Sequence, residues 1–253
     1  MFSRGFLVIV KREIRRFLFL YKQTLLPSVI SSGLYIIVFG TAMGSKMGDI
    51  KGVSYAHFII PGLTMMGVIN SAYQNSSSSI MQAKFLRFIE DILITPLSGF
   101  EISISYIIGG AVRGVLNGIL ILILGYFLSG FQMDNWFLTF IYLLVVSWAF
   151  AAAGVIVGIF AKTWDSIMVI TNFFFMPLIF LGGVFWSIEM LPKFWQHFSM
   201  ANPLYWMING LRYATLGIAD TSHQLSLGIS IIFAILFSIL ASYIFSKGYR
   251  IKT

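Results

Sequence analysis

A chain of 253 residues with a formal net charge of +8 has the length of one or two soluble domains but not their composition. Apolar residues make up 58% and charged residues 10%, against about 45–50% and about 25% in soluble globular domains. With 25 Phe and no Cys and a mean hydropathy of +0.88, a water-facing surface, disulfides, thiolate metal sites and Cys nucleophiles are all excluded.

Residues 1–22 read as a basic amphipathic helix. Val10, Ile14, Phe17, Leu18 and Tyr21 make one apolar stripe, and Lys11, Arg12, Arg15 and Arg16 take the other faces. Such a helix lies along the headgroup boundary with its cations toward anionic lipid; a solvated basic tail is the alternative, which the stripe argues against. With six basic residues and no uninterrupted apolar core, this segment is not expected to be a cleavable signal peptide.

Residues 23–253 read as one membrane domain with spans at about 24–43, 56–78, 101–128, 136–160, 166–187 and 225–246. Pro27 falls near the first turn of span one, where a missing N–H costs least. Span two ends in the polar run Asn75-Ser76-Ser77-Ser78-Ser79, and Pro177 is a kink candidate in span five. Between spans two and three lies a second amphipathic piece, 82–97. Residues 188–218 are aromatic but broken by Glu189, Pro192, Lys193, Asn202-Pro203 and Arg212. They read as two short re-entrant helices, the second capped by Asn202 with Pro203 in its first position; an interfacial aromatic belt is the alternative. The fold class expected is all-α, a polytopic membrane protein of six transmembrane helices.

Six spans put both termini on one side of the bilayer. If that side is the cytoplasm, the inner segments carry 12 Lys/Arg, six in the N-terminal helix plus Lys84, Arg87, Lys162, Lys247, Arg250 and Lys252. The outer segments carry Lys46, Lys51, Lys193 and Arg212. This asymmetry is the positive-inside signal, so both termini are expected to be cytoplasmic. The net charge then answers to lipid and topology, and nucleic acid is not expected as a partner.

Enzymatic motifs are lacking. No GxxxxGK[ST] occurs, so no nucleotide phosphate is cradled in the P-loop manner. His57, His197 and His223 are far apart, and the nine carboxylates fall mostly in connections, leaving no catalytic or metal site and no cofactor for this chain. Only Arg113 sits at mid-depth, ~18 Å along its helix from Glu101 at ~1.5 Å per residue. An unpaired cation there is costly and must face protein or a water-filled path, so structural pairing and substrate contact both stay open. Asn70, Asn117 and Asn172 are candidates for the same path or for inter-helix hydrogen bonds. Gly110, Gly114 and Gly118, with Gly154 and Gly158, give small faces for close packing, within the chain or at a seam between copies.

The piece at 82–97 carries Phe85, Phe88, Ile89, Ile92 and Leu93 on one helical face and Lys84, Arg87 and Asp91 on another. Arg87 and Asp91 form an i,i+4 pair, and Thr95-Pro96 ends the helix. At ~14 residues it is too short to span a bilayer. By periodicity it is either an elbow lying on the membrane or a docking helix for a soluble partner.

The run from Lys84 through Glu90-Asp91-Ile92-Leu93-Ile94-Thr95-Pro96-Leu97-Ser98 resembles the coupling-helix motif of bacterial type-2 ABC export permeases. Pro177 through Leu181-Gly182-Gly183-Val184-Phe185-Trp186, then Leu191-Pro192-Lys193-Phe194-Trp195, Asn202-Pro203-Leu204-Tyr205-Trp206 and Gly210-Leu211-Arg212-Tyr213, resemble that family's signature near the last spans. The likeness covers nearly the whole chain and is to the small inner-membrane permeases of Gram-negative bacteria in particular. One departure is Phe88-Ile89 where Gly-Thr often precedes the motif's Glu. The resemblance implies a permease that dimerises with a second, identical protomer and binds two copies of a separate ATP-binding subunit, which holds the ATP and Mg. It makes 1–22 a connector helix and 82–97 a coupling helix. Arg87, Glu90 and Asp91, with Lys84 beside them, would then be the polar contacts, and Phe85, Ile89 and Leu93 the packing ones. Aromatic enrichment suits a hydrophobic or amphipathic cargo such as a drug, lipid or lipid-linked glycan. The rivals are a self-sufficient secondary carrier and a membrane-embedded lipid-modifying enzyme, both of which call for ionisable constellations that the spans lack.

Overall fold

The computed structural model describes residues 4–248, with only the backbone at Ser45 and Met47. The first three residues of the expected N-terminal helix, and Arg250 and Lys252 of the charge count, lie outside them. Helix α1 (Arg4–Phe19) is followed by a short α2 (Tyr21–Thr24) that leads into α3 (Leu26–Ala42) with Pro27 in its first turn. The apolar stripe expected on α1 is displaced by one residue. Phe6, Ile9, Glu13 and Phe17 face inward, Leu18 and Tyr21 are exposed, and Val10 and Ile14 are half-buried. The cause is Glu13, a charged residue that takes a core position at the i, i+4, i+8 spacing of Ile9 and Phe17.

After α4 (Gly44–Met47), a two-residue hairpin joins β1 (Asp49–Ile50) to β2 (Val53–Ser54). Its turn residues Lys51 and Gly52 both have positive φ, 51° and 82°, as a tight primed turn requires. Helix α5 (Tyr55–Phe85) is 31 residues long and buried along most of its length against α7 (Gly99–Ser129) and α8 (Trp136–Phe160). The helix does not end at the polar run, the expected end of span two, but continues through it to Phe85. Asn75, Ser76, Ser77 and Ser79 are buried, with the Ser77 hydroxyl donating to the Tyr73 carbonyl (2.8 Å) and the Ser76 hydroxyl to that of Tyr106 (3.2 Å). Small hydroxyls let neighbours approach: a Cβ on Gly110 would strike Ser76, and one on Gly154 the Tyr73 carbonyl. The glycine faces therefore pack within this chain, against α5.

Helix α6 (Ile89–Leu93) is a single short turn. Helix α7 opens on a capping box, with Ser98 Oγ accepting from the Glu101 N–H (3.2 Å) and Glu101 Oε2 from the Ser98 N–H (3.0 Å). Span five is α9 (Trp164–Ile170), a π-helical turn at Thr171–Phe175 and α10 (Met176–Leu181). The irregularity expected from Pro177 is thus taken up one turn earlier as a π-bulge. Within 188–218 the structure has a 3-10 turn (Ile188–Met190), an exposed α11 (Lys193–Ala201) and a buried α12 (Pro203–Leu216) capped by Asn202, whose Oδ1 accepts from the Leu204 N–H at 3.0 Å. Helix α13 (His223–Lys247) ends the described chain.

Among the described residues, five helical stretches are long and apolar enough to cross a membrane: Tyr21–Ala42, Gly99–Ser129, Trp136–Phe160, Trp164–Leu181 and His223–Lys247. The expected sixth, α5, has the length but not the hydropathy, with His57 and Asn70 in its first half and the polar run in its second. The core is α5, α7 and α8 with α12; α3, α9–α10 and α13 lean on it and leave apolar flanks such as Ile30, Phe173 and Ile239 uncovered.

Candidate functional site

The expected path residues are partly assembled. A cavity of about 310 Å³ lies between α2–α3, α5, α7 and the π turn, and Asn70, Arg113 and Asn172 all line it. Asn117 does not; its Nδ2 donates to Ser28 Oγ (2.9 Å) and ties α7 to α3. Asn70 Nδ2 donates back to the Met66 carbonyl of its own helix (3.0 Å), leaving Oδ1 unpartnered. Arg113 is 7% exposed. Its Nη2 donates to the Thr24 carbonyl at 2.9 Å, where α2 breaks before α3, and its Nε has no partner. No carboxylate lines the cavity. At the Tyr35 end, rings close the space: Phe39 and Phe185 are 4.9 Å apart and Tyr35 and Phe185 6.1 Å.

The second assembly is the turn between α5 and α7. Here the expected continuous helix over 82–97 does not form. Helix α5 stops at Phe85, Arg87 adopts a left-handed backbone (φ 61°), and α6 starts afresh at Ile89. Arg87 therefore falls out of helical register with Asp91, and the i,i+4 pair is not made. Of the residues expected to pack on the ATP-binding subunit, Phe85 is 71% exposed and open to a partner, whereas Ile89 is buried within this chain beside Ile92, and Leu93 is half-buried. Lys84 points inward instead of presenting charge: its Nζ donates to the carbonyls of Ile159 and Ala161, 2.8 Å each, neutralising the C-terminus of α8. Phe85, Leu86, Arg87, Glu90, Asp91 and Ile94 are left as an exposed mixed patch.

A charged network fixes this turn to the spans. Fully buried Glu13 accepts from Arg12 (2.9 Å) and Arg16 (3.4 Å). Arg12 lies over the rings of Phe88 (5.4 Å) and Tyr106 (5.6 Å) and donates to the Tyr106 hydroxyl (3.0 Å). Arg16 donates to the carbonyl (2.7 Å) and side-chain oxygen (3.1 Å) of Asn75 in α5. Reading the sequence missed this network; its only signal was one Glu among the six basic residues of the first 22.

A third cluster sits at the opposite end. The Asp220 carboxylate accepts from Ser187 Oγ (2.6 Å) and the Ile188 N–H (3.1 Å), pairs with Lys51 Nζ (2.7 Å), and stands 3.9 Å from Arg212 Nη1. Lys51 also pairs with Glu189 at 3.1 Å, so Glu189 reaches the hairpin. Burial works against both charges, but Lys51, Ser187 and Arg212 hold Asp220 below the usual carboxylate range, and Asp220 and Glu189 raise Lys51 above the usual ammonium value.

Sequence comparison places these three assemblies in a known family. A family model described as ABC-2 type transporter matches residues 4–216. The chain belongs to the ABC-2 type transporter family. It is 40% identical over 242 residues to the inner membrane transport permease YadH of Escherichia coli K12, covering 96% of this chain and 94% of that one. It is also similar to nodulation protein J of Neorhizobium galegae, 24% identical over 84% of this chain and 82% of that one, and of Rhizobium leguminosarum bv. viciae, 24% over 87% of each. The Escherichia coli relative is named a transport permease.

Proposed function

We propose that this chain is the membrane-spanning subunit of an ATP-binding cassette exporter, resident in a bacterial inner membrane. It works with a second, identical protomer and two copies of a separate ATP-binding subunit that holds the ATP and Mg. The observation that carries this reading is the exposed patch Phe85–Ile94 in a member of the ABC-2 family, tied to the spans through Lys84, Phe88 and the Glu13 network. Glu90, Asp91 and Arg87 would meet the ATPase, with Phe85 and Ile94 seated in its cleft. Helix α5 is the sixth span: its 31 residues reach about 46 Å, and neighbouring helices cover its polar run. Both termini then face the cytoplasm, by the positive-inside asymmetry, and α11–α12 form the re-entrant pair on the outer side.

In this reading, closure of the ATPases pushes the 85–94 turn, the buried guanidinium network passes the displacement to α1, α5 and α7, and the cavity at Asn70, Arg113 and Asn172 opens past the Tyr35–Phe39–Phe185 rings. The cargo is a hydrophobic or amphipathic molecule (a drug, lipid or lipid-linked glycan) leaving the cytoplasm. The test is co-expression with the neighbouring ATP-binding cassette subunit. The complex is expected to co-purify and to hydrolyse ATP faster than the free subunit, and Glu90→Arg to abolish both effects without altering the chain's thermal stability. Unchanged association and stimulation in Glu90→Arg would remove the lever from the mechanism.

A further inference from the structure

Arg113 is a guanidinium buried in a span without a counter-ion among the described residues. Glu13, the buried carboxylate of α1, is taken by Arg12 and Arg16. One of Arg113's five N–H donors is satisfied by the Thr24 carbonyl, and Nε has no partner. An unpaired buried cation costs several kcal/mol, and an arginine at such a cost is best matched by an oxyanion, two of whose oxygens take two N–H groups of the planar guanidinium together. The rest of the lining supplies neutral hydrogen bonds, from Gln23, Ser28, Asn70, Gln74 and Asn172. The cavity, at about 310 Å³, has the size of a small-ligand pocket.

We propose that the cavity is a binding site for an anionic oxyacid group, a phosphate or carboxylate, with Arg113 as its counter-charge and the surrounding amides and hydroxyls as its secondary contacts. This rests on the cavity being the cargo path, and it makes the cargo an anion: either the head of an amphiphile whose apolar part extends toward the uncovered flanks of α3 and α9–α10, or a free anion of the same chemistry. Asn117, bonded to Ser28, holds α3 in place against α7 as a positioning residue.

The test is thermal protection of the full-length chain in dodecyl maltoside, titrated with decyl phosphate, decyl maltoside, decyltrimethylammonium and inorganic phosphate. Because the protein is cationic overall, the deciding quantity is the difference between wild type and Arg113→Gln. Decyl phosphate is expected to protect wild type, with a half-saturating concentration at least tenfold higher in Arg113→Gln and intermediate in Arg113→Lys, while decyl maltoside and decyltrimethylammonium are insensitive to the substitution. Protection by inorganic phosphate with the same dependence on Arg113 identifies a free anion; protection by decyl phosphate alone identifies a head group. Equal protection of wild type and Arg113→Gln by decyl phosphate overturns the proposal. Should Arg113→Gln fail to fold, wild type protected no better by decyl phosphate than by decyl maltoside overturns it as well. Asn172→Leu separates the two readings. If it weakens all probes alike while Arg113→Gln changes nothing, the cavity stands and its charge preference falls. If neither substitution alters any probe, the cavity is not a binding site and the cargo path falls with it.

Discussion

Arg113 and Arg212 are both arginines buried in an apolar chain, 7% and 1% exposed, and their surroundings are opposite. Arg212 lies 4.0 Å over the Phe58 ring, donates to the Gly183 carbonyl at 2.5 Å and faces the Asp220 carboxylate, which is itself held by Lys51, Ser187 and the Ile188 amide. Arg113 has one carbonyl and a cavity. The first arrangement joins the β-hairpin, the Ser187–Glu189 turn, α12 and the Asp220 loop into one closed unit. The second leaves hydrogen-bonding capacity unspent where α2–α3 and the π turn meet the core. Nε lacks a hydrogen-bond partner in both, so what separates them is the counter-charge: an arginine that faces a fixed carboxylate is structural, and one that faces a cavity without a carboxylate is available to a ligand.

The largest effect expected from breaking this contrast is Asp220→Ala. It strands Arg212 without a carboxylate and leaves Lys51 only the exposed Glu189, and removing one partner of a buried pair costs about 3–5 kcal/mol; thermal or denaturant unfolding in detergent should show the loss. Next comes Gly154→Leu in the core that carries both arginines. Its Cβ meets the Tyr73 backbone carbonyl, which cannot swing aside as a side chain can, so a loss of about 1–3 kcal/mol is expected from overpacking. Arg113→Gln should sit at the other extreme, within about 1 kcal/mol of wild type or more stable, since it removes a charge that nothing in the fold repays. A loss as large as that of Asp220→Ala would erase the distinction between the two arginines.

The smallest effect is on pH. Asp220 is depressed below its unfolded value of 3.8, so its contribution is complete above that value and disappears as pH falls below it toward the folded pKa. Lys51 is raised above 10.5, so its contribution is complete below that value and disappears as pH rises beyond it toward the folded pKa. Stability should be level across neutral pH and decline at both ends, and the acid arm should vanish in Asp220→Asn. An acid arm that survives in Asp220→Asn would assign it to another carboxylate.

Much of the architecture was legible in the sequence because membrane spans announce themselves by length and apolarity. Five were found within a few residues of their expected bounds, as were the Asn202–Pro203 start of α12 and the break near Pro177. What failed shares one cause. Glu13, Lys84 and Arg212 are charged residues that pattern reading assigns to water, and each is buried: Glu13 between its neighbours Arg12 and Arg16, Lys84 on the distant carbonyls of Ile159 and Ala161, and Arg212 on the Gly183 carbonyl and against Asp220. The stripe on α1 shifted because a paired carboxylate behaves as a core residue. The helix over 82–97 broke because Arg87 turns left-handed while Lys84, anchored to α8, and Arg12, stacked on Phe88, hold the segments on either side. Of the path residues, three converge on one cavity and Asn117 went to an inter-helix bond, a choice their spacing could not make.

Local composition was enough to establish that the protein is helical and membrane-embedded and, with its motifs, which transporter family it belongs to, because hydropathy and short signatures are properties of contiguous residues. Which charges are locked and which are free was decided only in three dimensions. The partner of Arg212 is eight residues away in the chain but is held in place by Lys51 and Ser187, and the missing partner of Arg113 is an absence that no sequence window can register.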